Sequence, residues 1–167
     1  MGYKVLWIED GAFVEISDVA GPVINNATTY DLHVAFNVAD AVKKIQVSQF
    51  DAVIVDIRIP PGFDSEWENL YKKSGYNRIN ARLGINLLFS LLKPRDAAIK
   101  LKNIPRWISP EKFGIFTVEG KQEVKDDLEK LGIQFFEQKR AGIPNTILLG
   151  LIEKIINNQK KFQHRRT

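Results

Sequence analysis

Residues 51–57 read Asp-Ala-Val-Ile-Val-Asp-Ile, an apolar run that ends beside an acid, Asp56. A strand with no polar face suits a parallel sheet covered on both sides. Tyr3 to Ile8 (YKVLWI) has the same character, and two acids, Glu9 and Asp10, follow it at once. Leu32, Val34 and Phe36 alternate as a second strand; Phe113 to Val118 (FGIFTV) gives a fourth and Ile133 to Glu137 a fifth. Between these runs the spacing predicts helices over 12–27 (interrupted by Gly21-Pro22), 38–47, 84–92, 122–131 and 144–157. Gly132 is placed to close the fourth of them and Pro144 to open the last.

Strands that alternate with helices make a parallel sheet with helices on both faces. Five such strands predict an α/β fold with the flavodoxin-like order 2-1-3-4-5. Its ligand crevice lies where the winding reverses, at the C-terminal ends of strands 1 and 3. The size, 167 residues, suits one domain. The absence of cysteine excludes a disulfide scaffold, a thiolate metal site and a cysteine nucleophile, and fits a reducing, cytoplasmic setting. No run is long enough to span a membrane, and the first strand starts too early to leave room for a signal peptide.

Charge is uneven along the chain. Residues 1–64 hold 4 bases against 9 acids, a net of −5, whereas residues 65–113 hold 10 against 4, a net of +6. The overall +4 therefore belongs to local stretches and is no argument for nucleic-acid binding by itself.

The two strands that flank the crevice are the two that end in acids. A single acid at a strand end is ordinarily solvated or caps the next helix. Three carboxylates, Glu9, Asp10 and Asp56, converging on one crevice repel one another and call for a cation. All-oxygen ligands with few carboxylates suit Mg²⁺. Strand 4 ends at Thr117 and strand 5 is followed by Lys139, so a hydroxyl and an ammonium reach the same edge.

This constellation resembles the receiver domain of two-component response regulators. The matching residues are Glu9-Asp10, Asp56 in DAVIVDIRIPPG, Thr117 in FTVEG and Lys139 in FFEQK. The intervals agree too: 46 residues from Asp10 to Asp56 and 22 from Thr117 to Lys139. The resemblance implies that Asp56 is the phosphoacceptor. Glu9, Asp10, Asp56 and the backbone carbonyl of Arg58 would hold Mg²⁺. Thr117 and Lys139 would bind the phosphoryl group, with Thr117 and Phe136 as switch residues. Arg58 and Glu119 would overhang the phosphoryl group and set its lifetime, and their opposite charges suggest a salt bridge across the crevice mouth. The implied partners are a sensor histidine kinase or phosphotransfer protein and a downstream protein effector, with homodimerisation left open. Such a chain is a phosphoacceptor signalling domain, not an enzyme on other molecules, although it takes part in its own phosphorylation and dephosphorylation.

Three departures stand out. Arg140 follows Lys139 where the family has proline after a cis bond; a cis bond before a non-proline costs about 2.5–4 kcal/mol, so a trans bond is expected. Val118 is bulkier than the small residue usual after the threonine. From Asp56 to Thr117 the chain runs 61 residues, about 30 more than a βαβ unit needs. The extra residues, 65–83 and 93–112, flank the 84–92 helix. They interleave Trp67, Tyr71, Tyr76 and Trp107 with ten or so bases, among them Arg78 and Arg82. Packing of the aromatics with solvated bases, or a protein-effector surface over 65–112, is expected ahead of nucleic acid. The insertion is expected to add no strand and to be removable without loss of the fold.

The receiver unit is thus placed at 1–157 and a frayed basic tail at 158–167. With 28 residues after Lys139, no output domain is expected. His33 and His164 lack ligand-spaced neighbours. The main alternative is a phosphorylation-independent pseudo-receiver that keeps the fold as an interaction module. A haloacid-dehalogenase-type phosphohydrolase would need Asp-x-Asp after strand 1, where this chain has Glu9-Asp10-Gly11. A nucleic-acid binder would rely on the insertion and tail and show steep salt dependence.

Overall fold

The computed structural model describes residues 2–164. Five strands, β1 (Tyr3–Ile8), β2 (Tyr30–Ala35), β3 (Ala52–Val55), β4 (Phe113–Thr117) and β5 (Phe135–Gln138), form one sheet in the order β2-β1-β3-β4-β5. Every pairing is parallel. The helices are α1 (Ser17–Ile24), α2 (Val38–Val47), α3 (Ser65–Lys73), α4 (Arg78–Ala81), α5 (Leu83–Leu92), α6 (Lys121–Leu131) and α7 (Ile147–His164). The expected α/β class and strand order are both met.

Each face of the sheet carries its own core. Side chains alternate along a strand, so Leu6 and Ile8 enter one core while Val5 and Trp7 enter the other. The first core is closed by α2, α5 and α6 through Ile45, Leu87 and Leu128; the second by α1 and α7 through Val19, Leu151 and Ile155. All four residues of β3 are buried, as a central parallel strand requires.

Several element boundaries differ from the sequence reading by one to a few residues, the last helix starting at Ile147 and not at Pro144, and three of the larger shifts have a local reason. The first helix begins at Ser17, not residue 12, because the amides of Val14, Glu15 and Ile16 all turn back onto the Gly11 carbonyl. β5 begins at Phe135, not Ile133. Ile133 belongs to the closure of α6: its amide donates to Leu128 O at 3.0 Å while Gly132, at φ +72°, donates to Glu129 O at 3.2 Å. That is a Schellman closure, with Ile133 and Leu128 as its apolar pair.

The last helix runs to His164, which corrects the frayed tail expected from 158 onward. Asn157 and Asn158 have low helix propensity, but Gln159 Nε2 donates to Asp51 O at 2.8 Å and fixes the extra turn to the sheet. Residues 165–167 of that expected tail lie outside the described residues. No helix among the described residues is long and apolar enough to cross a membrane.

The insertion adds no strand among the described residues, as expected. It is not an appendage, however. Trp67 is 2% exposed and sits in the same core as Ile57 and Leu83, with Leu70, Tyr71, Leu101 and Trp107 packed against it. Trp107 meets Phe50 edge-on at 6.0 Å, and Lys112 lies over its ring. Trp67, Tyr71 and Trp107 therefore pack the fold, whereas Tyr76 stays 62% exposed, and the burial of Trp67 argues against the expectation that the insertion is removable.

Candidate functional site

The β1 and β3 strands lie side by side, and the chain leaves them in opposite directions along the sheet. Their C-terminal ends open into a cleft of about 820 Å³. Glu9 and Asp56 each extend the strand ladder by one bond: Glu9 N donates to Ala35 O at 2.9 Å and Asp56 N to Ile8 O at 3.0 Å. The backbone thus delivers both carboxyls to the rim of the sheet. Both are buried, and Asp10 beside them is half-buried.

Glu9, Asp10 and Asp56 each place a carboxylate oxygen within 4.8 Å of the other two. Three hard oxygen donors so close fit a divalent cation such as Mg²⁺, and suit a thiophilic metal poorly. Lys139 enters from the end of β5. Its amide donates to Thr117 O at 2.7 Å, which ties β5 to β4 at this edge. Its ammonium contacts Glu9 Oε2 and lies 3.1 Å from Asp56 Oδ2. The bond that follows it is trans; no described peptide bond is cis. Thr117 is wholly buried, and its Oγ1 has no hydrogen-bond partner.

Burial pushes the Glu9 carboxyl up to about 7; Lys139 opposes that shift and Asp56 adds to it. Glu119 is also raised, by burial first, with Arg58 and Arg82 opposing. Arg58 Nε lies 3.6 Å from Glu119 Oε1, so the two residues form the expected ion pair, with Arg58 lining the cleft. The pair is not a surface pair, since Glu119 is only 6% exposed. Val118 lines the cleft and stays 45% exposed. Phe136 is half-buried against the α6 side core, on the strand that carries Lys139.

Two residues escaped the sequence reading. Arg78, in α4 of the insertion, donates from Nη1 to Asp10 Oδ2 at 2.6 Å. It lies 68 residues from its partner, and no local pattern links them. Gly84 lets α5 press onto the end of β3. A Cβ there would stand 2.1 Å from Asp56 O, while Gly84 N donates to Ile57 O at 3.0 Å. His33, by contrast, pairs with Asp31 at 2.9 Å and meets the Phe50 ring edge-on at 5.5 Å, on the far strand.

No protein-family model and no curated protein matches the sequence. Solved structures do. The signal receiver domain of a putative Luxo repressor protein from Vibrio parahaemolyticus superposes with a TM-score of 0.62 at 18% identity, covering 100% of this chain and 99% of that one. The fold is that of response-regulator receiver domains. A Francisella response regulator receiver domain gives 0.61 at 18% identity, covering 95% and 99%. A response regulator receiver domain protein from Methanospirillum hungatei gives 0.60 at 15%, covering 96% and 98%. The receiver fold accounts for the five strands and for the position of the cleft.

Proposed function

We propose that this chain accepts a phosphoryl group on Asp56 from a partner histidine kinase or phosphotransfer protein, with Mg²⁺ required, and signals by a changed partner-binding surface. The observation that carries the reading is the convergence of Glu9, Asp10 and Asp56 at the switch point of a receiver fold, with Lys139 Nζ 3.1 Å from Asp56. An Asp56 oxygen attacks phosphorus; the new P–O bond forms as the P–N bond to the donor imidazole breaks, and that electron pair leaves with the imidazole nitrogen. Glu9, Asp10, Asp56 and the Arg58 carbonyl would hold Mg²⁺, which supplies charge neutralisation when bound. The Lys139 ammonium neutralises charge next to the acceptor. The unpartnered Thr117 hydroxyl has a donor to offer a phosphoryl oxygen. Thr117 and Phe136 are the switch pair of this reading, and residues 65–112 its effector surface.

Incubation with Mg²⁺ and a small-molecule phosphodonor tests the proposal. The expected result is one added phosphoryl group, mapped to Asp56 by mass spectrometry and absent in Asp56→Asn. No incorporation would select the second reading, a phosphorylation-independent interaction module. One observation favours that second reading: Asp10 already holds a cationic partner, Arg78, from within the chain.

A further inference from the structure

Arg78 lines the cleft, and neither the receiver fold nor the proposed chemistry requires it. Its guanidinium reaches over the acidic cluster and makes a 2.6 Å bond to Asp10, with the Arg78 side chain 44% exposed and that of Asp10 30%. Among the described residues, Asp10 has no other ion-pair partner, whereas Glu9 and Asp56 share Lys139. The three carboxylates are therefore met by two cations that belong to the protein.

The segment that presents Arg78 is held under backbone strain. Tyr76 at φ +56° and Arg82 at φ +45° are the two non-glycine residues with positive φ among those described, and they bracket residues 77–81. Left-handed geometry is unfavourable for an ordinary L-residue, whose Cβ crowds the following carbonyl oxygen. Between them, Asn77 Oδ1 accepts from the amides of Ile79 and Asn80, at 2.8 and 3.2 Å, and fixes the single turn of α4. Tyr71 packs edge-on against Tyr76 at 5.8 Å. Among the described residues, the ion pair of Arg78 with Asp10 ties this capped turn to the acidic cluster.

We propose that Arg78 is a tethered counter-ion for the metal site: it neutralises Asp10 in the resting state, a divalent cation must displace it, and its release frees the strained 76–82 turn of the insertion. This rests on the receiver reading, because it takes Asp10 as a metal ligand. The guanidinium donates to one of the two oxygens of the Asp10 carboxylate, and a singly charged group that close repels a divalent ion. Binding of the ion is thereby coupled to the insertion, the stretch by which the chain exceeds what a βαβ unit needs. The coupling is reciprocal: whatever holds the turn open tightens the cation site by the same factor.

The test compares Mg²⁺ affinity of the full chain and of Arg78→Gln by calorimetry, with Arg82→Gln as control. Arg82 carries the same charge in the same insertion but pairs with Asp127 at 2.9 Å. Arg78→Gln should bind Mg²⁺ about three- to tenfold more tightly than the parent, given the usual worth of a partly exposed pair and the added repulsion, and Arg82→Gln should not. Saturating Mg²⁺ should also speed amide exchange across 79–82 in the parent and leave it unchanged in Arg78→Gln. Equal or weaker affinity in Arg78→Gln, or exchange in the parent that ignores Mg²⁺, overturns the inference while the receiver reading stands. Binding to none of the three proteins overturns the metal site itself, and both proposals with it.

Discussion

At the scale of single residues, the Arg58–Glu119 pair differs from an ordinary surface ion pair. A fully exposed pair adds about 0–1 kcal/mol, yet Glu119 is buried beside Arg58, which lines the cleft. On the proposed function, the two arms held together would obstruct the in-line path of water to a phosphoryl group on Asp56. Self-dephosphorylation should be slow, and faster in Arg58→Ala and in Glu119→Ala. Because both substitutions open one gate, the double variant should decay more slowly than the product of the two effects implies. Decay of the phosphorylated protein at an unchanged rate in the single variants would refute this.

Glu9 gives a second prediction at the same scale. Its folded-state pKa, about 7 against an ordinary 4.5, means that folding takes up a proton between those values. A raised carboxyl contributes stability that is fully present below the unfolded pKa and lost as pH rises through the folded one. In metal-free protein the melting temperature should therefore fall from about pH 5 to about pH 7.5, with Glu119 acting in the same direction. The slope should be shallower in Glu9→Gln. A wild-type slope no steeper than that of Glu9→Gln would contradict the assignment.

At the scale of elements, the seat of α5 on β3 decides how firmly Asp56 is held. In an open helix Gly→Ala would stabilise by about 1 kcal/mol. At Gly84 the added Cβ would meet backbone, 2.1 Å from Asp56 O and 2.8 Å from Ile57 Cα, and backbone cannot rotate aside as a side chain does. Overpacking of this kind costs about 1–3 kcal/mol or more and outweighs the propensity gain. Gly84→Ala should lower the denaturant midpoint and shift Asp56. A midpoint at or above the parent's would show that α5 can lift away freely.

The strands and the acids at their ends were legible in the sequence because a buried parallel strand writes itself locally, as an apolar run with an acid beyond it. The opposite charges at Arg58 and Glu119 likewise proved to face each other. What could not be read locally was set by partners far along the chain. Ile133 looks like strand until Gly132 is seen to turn it into the closure of α6. Arg78 reads as one base among many in a basic stretch, and only the folded path of the insertion brings it to Asp10. Gly84 carries no signal at all, since its role is the space that it leaves.

At the scale of the whole molecule, the insertion is part of the core and should behave so. Trp67 is 2% exposed and touches the cluster that also holds Ile57 and Leu83. Trp67→Ala should cost about 3–5 kcal/mol, and removal of 65–83 with 93–112 should abolish cooperative unfolding. A shortened chain that melts cooperatively near the parent's temperature would return the insertion to the status of an accessory.

The same insertion lies between two neighbouring strands, and that has a kinetic consequence. β3 and β4 pair directly, Val53 opposite Phe113, although residues 56–112 separate the two strands. Closing a loop of twice the ordinary βαβ length costs roughly 0.6 kcal/mol more, about a threefold delay if it falls before the rate-limiting barrier. β1, β2 and β3 face no such delay and can associate first. Ile8→Val in β1 should therefore slow refolding, whereas Ile115→Val in β4 should chiefly hasten unfolding. Equal effects of the two on the refolding limb of the chevron would mean that the long closure has already happened when the chain crosses its barrier.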